Sequence, residues 1–100
     1  MKLWTVELSG KAHKQMKNLP PVIRDLARKA IKGLECYGPK PPGWNVKKLD
    51  GHEYRLRLHY RYRLHYHYKD GELLITIFYL GHRKDAYKKQ INYRDSSSVS

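Results

Sequence analysis

Acidic side chains are scarce in this chain. Nine Asp and Glu stand against twenty-one Lys and Arg in 100 residues, a formal charge of +12. That excess goes beyond what a small domain needs for solubility. It attracts a polyanion: nucleic acid, a membrane surface or an acidic protein. Cysteine is nearly absent too. The single Cys36 excludes an internal disulfide and fits a reducing compartment. No apolar run approaches the roughly 20 residues of a membrane span, and no signal-peptide-like stretch opens the chain. A cytosolic protein with no membrane segment is expected. No repeat and no linker divides the sequence. One domain over residues 1–93 is expected, with a modest core built from a 40% apolar composition.

What the chain does have is a dense alternation from Glu53 to Lys69, EYRLRLHYRYRLHYHYK. Tyr54, Leu56 and Leu58 alternate with Arg55, Arg57 and His59. Tyr62, Leu64, Tyr66 and Tyr68 then alternate with Arg63, His65 and His67. Successive side chains on a strand point to opposite faces. Two antiparallel strands joined near His59 to Arg61 would therefore put Tyr and Leu on one face. Arg55, Arg57, Arg63, His65 and His67 would share the other, a cationic, proton-exchanging surface suited to a phosphodiester. Interleaved aromatic and basic residues strengthen the nucleic-acid reading.

The rest of the chain supplies elements to support that surface. Lys2 to Leu8 alternates as a strand, with Trp4, Val6 and Leu8 on one face. Ser9 is a candidate N-cap for a short helix over Lys11 to Asn18. Pro20 and Pro21 stop it and open a second helix, since proline is tolerated in a first turn. Val22, Ile23, Leu26, Ala27, Ala30, Ile31 and Leu34 recur there at the helical period, and Gly38-Pro39 ends it. Tyr37 and Cys36 are read as packing residues. Trp44 to Leu49 leads back toward the sheet, with Lys47 and Lys48 just before an Asp50-Gly51 turn. Asp70-Gly71 signals a tight hairpin, and Leu73 to Leu80 reads as a buried central strand. A short helical segment through Ile91 and a disordered tail over 94–100 complete the expectation. The predicted class is α+β, in the order β-α-α-β-β-β. The sheet is small and mainly antiparallel, an αα-hairpin packs on one face, and the first strand can pair with the last.

The element order, the KKLDGHEYRLRL…YRLHY block and GHRKDAY near the end together resemble the RelE/ParE toxin superfamily, over roughly Leu3 to Tyr87. Within it the chain is more similar to the RelE branch. That resemblance implies the toxin of a toxin–antitoxin pair, a messenger-RNA endonuclease acting in the ribosomal A site and neutralised by an acidic antitoxin, with no metal and no cofactor. It implies site residues as well: Arg55 and Arg57 at the two basic positions of one strand, Arg63 after an aromatic on the next, Arg83 after Gly81, and a functional Tyr87. The best-known member carries lysines where this chain has Arg55 and Arg57, and one of those lysines is its proposed base. Guanidinium stays protonated at any ordinary pH, so Arg57 is assigned an electrostatic role.

Cleaving RNA without a metal needs a base for the 2′-OH, cations for the phosphorane and an acid for the leaving 5′-oxygen. Arg57, Arg63 and Arg83 suit the second task. His65 is the first choice for proton transfer and His82, beside Arg83, the second. A protonation step near about pH 6 to 7 is expected, drawn lower by the arginines. Tyr87 can stack on a base or hold the backbone in line. Lys47, Lys48, Arg55, Arg61 and His67 are assigned to RNA binding. The rival readings are plain polar-face roles for His65 and His67 and a His59, His65, His67 metal site that no Cys or carboxylate completes. For the whole protein they are a gyrase-poisoning toxin of the ParE type and a non-catalytic RNA-binding module.

Overall fold

The computed structural model describes residues 3–82. The order is β1 (Thr5–Leu8), α1 (Gly10–Lys17), α2 (Pro21–Tyr37), β2 (Asn45–Asp50), β3 (Glu53–His59), β4 (Tyr62–Lys69), a 3₁₀ turn (Asp70–Glu72) and β5 (Leu74–His82). The sheet runs β1-β5-β4-β3-β2. β1 pairs with β5 in parallel, Thr5 opposite Leu74, and the other pairings are antiparallel. The expected helices form with the expected ends. Ser9 Oγ accepts the backbone N–H of Ala12 at 3.1 Å, and Pro21 stands in the first turn of α2.

The structure has one strand more than the sequence order predicted. Asn45–Asp50 is a full edge strand, not a lead-in. Only Val46 on it is even half-buried, so it carries no hydrophobic signature. Lys47 and Lys48 are the charges that natural sheets place on an open edge. Asp70-Gly71 likewise starts a 3₁₀ turn instead of a two-residue hairpin. Leu73 follows it in the left-handed region at φ 48°, its N–H donating to Asp70 O at 3.1 Å.

Both helices cover one face of the sheet. Ile23, Ala27, Ala30 and Leu34 of α2 meet Tyr54, Leu56, Leu64, Tyr66, Ile75 and Ile77 in a single core. Val22, expected on the buried stripe, is 69% exposed, and Tyr37 is 66% exposed. Tyr66 Oη donates to the Pro39 carbonyl and ties the loop after α2 to the sheet. The short helical segment through Ile91 and the tail over 94–100 lie outside the described residues, as do Arg83 and Tyr87.

Gly38 closes α2 with its N–H on Leu34 O at 2.9 Å, at φ 89° and ψ −158°. That conformation is essentially glycine's alone. A Cβ there would also stand 2.8 Å from Trp4 Nε1. Gly38→Ala should therefore cost about 1–3 kcal/mol, read as a lower urea midpoint. An unchanged midpoint would show that Trp4 and the loop yield freely.

Candidate nucleic-acid face

The face of the sheet away from the helices is built by β3, β4 and β5. Inward residues Tyr54, Leu56, Leu58, Leu64 and Tyr66 are buried, which turns the intervening residues outward. Register then aligns them in cross-strand pairs: Arg55 opposite His65, Arg57 opposite Arg63, and Glu53 opposite His67. On the far side of β4, His65 faces Tyr79 and Arg63 faces Gly81. The alternation read from the sequence is the alternation found.

Burial divides these cations. Arg57 is exposed and Arg55 and His65 are half-buried, while Arg63 is only 6% exposed despite facing outward. Arg55 Nε is buried with no hydrogen-bond partner among the described residues. A buried N–H without an acceptor is costly. His65 is enclosed by Tyr79, with ring centroids 5.1 Å apart, and meets Phe78 edge-on at 6.0 Å. Burial first, then the Arg55 and Arg63 guanidiniums, pull its pKa from 6.5 down to about 4. The expected step near neutrality is thus moved well into acid, and His65 is a neutral imidazole at pH 7.

Other assigned residues fall elsewhere. Lys47 pairs with Arg55 and shares its face, whereas Lys48 pairs with Tyr54 and belongs to the helix side. There it lines a cavity of about 360 Å³ with Lys40, Trp44 and Tyr54. Arg61 is in the β3–β4 turn, its guanidinium 5.8 Å from the Tyr60 ring centre. His82 pairs with Tyr62, two positions beyond the Leu64–Leu80 pair, and so has the parity of the buried face. It meets the Tyr62 ring edge-on at 5.3 Å. With Gln15, Asn18 and Leu19 it borders a cavity of about 300 Å³ at the α1–α2 hinge. His65 and His82 are thus on opposite sides of the sheet. Among the described residues, no three His, Cys, Asp or Glu side chains converge as a metal site.

No family model and no curated protein matches the chain. Solved structures do. A chain of the archaeal RelE–RelB complex from Pyrococcus horikoshii OT3 is 25% identical with a TM-score of 0.71, over 80% of this chain and 94% of that one. A chain of the RelB–RelE antitoxin–toxin complex from Methanococcus jannaschii is 21% identical with a TM-score of 0.71, over 82% and 95%. A chain of the YoeB dimer from Staphylococcus aureus is 18% identical with a TM-score of 0.67, over 79% and 95%. The chain has the fold of the RelE/YoeB-like toxins.

The RelE-like fold explains how this surface is presented. Both helices pack on one face of the five-stranded sheet and do not cover the other, which has β4 at its centre. Sequence reasoning missed two residues on that RelE-like face, Phe78 and Tyr79. They lie inside the apolar run LLITIFYL, where no alternation marks which side chains point outward.

Proposed function

We propose that this RelE-like chain is the toxin of a toxin–antitoxin pair and cuts messenger RNA on the ribosome, in the cytoplasm and without a metal. The observation that carries the reading is the register: Arg55 against His65 and Arg57 against Arg63, on the face the helices leave uncovered. Arg57 and Arg63 supply charge to the phosphorane. His65, neutral and flanked by two guanidiniums, is the proton acceptor for the 2′-OH. Lys47, Arg61 and the cationic helix surfaces bind RNA backbone. Arg83 and Tyr87 keep the roles that the RelE resemblance gives them: Arg83 on the scissile phosphate, Tyr87 on the sugar–phosphate or base. An acidic antitoxin would neutralise the face, a reading supported by RelE–RelB complexes among the similar structures.

Cleavage should require the ribosome, because +12 spread over helices and sheet exceeds what a short RNA alone engages. Purified toxin should degrade free message poorly and ribosome-bound message well, with codon-phased cuts in primer extension. Equal rates on both substrates would sink the ribosome requirement. Double-strand DNA breaks without RNA cuts would point to a gyrase poison. Salt should weaken binding steeply, since phosphate contacts release counterions.

A further inference from the structure

β5 departs from strict alternation at one place, and that place faces the cations. Tyr79 pairs with His65 and Ile77 with Tyr66, so Phe78 is the extra residue of a bulge. Bulges re-aim side chains, and this one keeps Leu80 buried while turning Phe78 toward the outer face. The Phe78 ring stacks on His67, centroids 5.7 Å apart and planes 23° from parallel. Both residues are half-exposed. Phe78 is the only phenylalanine in the chain and takes no part in the hydrophobic core. Glu53 stands opposite His67 in the next strand, then Arg55 opposite His65, with Arg57 opposite Arg63 farther along. From His67 to Arg63 is four residues, roughly 13 Å of strand, a span a short oligonucleotide covers.

We infer that the His67–Phe78 stack is a nucleobase platform, taking the flat face of one base of a single-stranded RNA whose phosphates lie along Arg55, Arg57 and Arg63. The inference rests on the proposed function only in taking RNA as the ligand. Flat stacking on an aromatic pair, with cations tracking the backbone, is how single strands are held with little sequence preference. The platform therefore fixes which nucleotide sits over His65 more than which base it carries. Phe78 and His67 act here as positioning residues, setting the strand relative to the proton carrier.

The test uses the full chain and a six-nucleotide RNA at low salt, with 2-aminopurine placed at each position in turn. One position should show strong quenching on binding. Phe78→Leu should lose that quenching and bind roughly 10-fold more weakly, in the range measured for one stacked base, while Phe78→Trp keeps both. An abasic nucleotide at that position should cost the parent the same factor and Phe78→Leu nothing further. His67→Ala, at a half-exposed position, should also weaken quenching and decides the matter if Phe78→Leu fails to fold. Equal quenching in parent and variants, or none at any position, overturns the platform. Because these measurements read binding and not cleavage, ribosome-dependent cutting can stand if they fail, and the platform can stand if cutting is absent.

Discussion

Arg63→Ala should lower single-turnover cleavage of ribosome-bound message by roughly 100- to 1,000-fold, the usual loss when one preorganised transition-state donor is removed. The position argues for the upper part of that range. Arg63 is in the central strand, between Arg57 on β3 and Gly81 on β5, and is 6% exposed although it faces outward. A guanidinium held that closely need not reorganise as charge develops on the phosphate. Arg63→Lys keeps the charge but loses the bidentate fork, so its activity should fall between parent and alanine. A structural role would also lower activity, so a second readout is needed. Arg63 is one of the causes that depress the His65 pKa, after burial and Arg55. In folded Arg63→Ala the His65 titration should therefore move up toward its ordinary value. A folded variant that halts growth as fast as the parent at matched expression would place the reactive phosphate elsewhere.

Period-two reading located this surface because β3 and β4 are both half-buried, with one polar and one apolar side chain per step. The helices were equally legible: Ser9, Pro21 and Gly38 mark three of their ends, and the α2 stripe is nearly continuous. What escaped has physical causes. β2 is an edge strand with a single half-buried residue, Val46, so burial left no imprint on its sequence. β5 is apolar on both faces, and its bulge shifts parity between Ile77 and Tyr79 without a glycine or proline to announce it. That shift also decides His82. Adjacency to Arg83 suggested a place beside the arginine cluster, but with Gly81 opposite Arg63 the next residue must face the helices.

His65→Gln should slow single-turnover cleavage on the ribosome by roughly 100-fold or more, within the range for loss of a general base. Glutamine keeps a polar side chain of similar size and removes only the proton exchange. The chemistry turns on charge state. Burial, Arg55 and Arg63 hold the His65 pKa at about 4, so the free protein has a neutral, accepting imidazole across the physiological range. A weak base is a poor acceptor on its own. RNA phosphates on Arg55 and Arg63 would offset two of the three depressing causes and raise its basicity where the 2′-OH arrives. Titration by NMR should accordingly find His65 near about 4 in the free toxin and higher with a short RNA bound. The same depression makes the fold acid-sensitive. Protonation is harder in the folded than in the unfolded chain, so this contribution to stability is complete above about pH 6.5 and is lost as pH falls toward about 4. His65→Gln should lose less stability than the parent between neutral and mildly acid pH, read from urea midpoints. A variant that cleaves at the parent's rate would leave His65 as a packing residue of the cationic face. His82, on the helix side of the sheet, would need the chain beyond it to carry RNA around the sheet end before it could take over, and His82→Gln assayed the same way settles that.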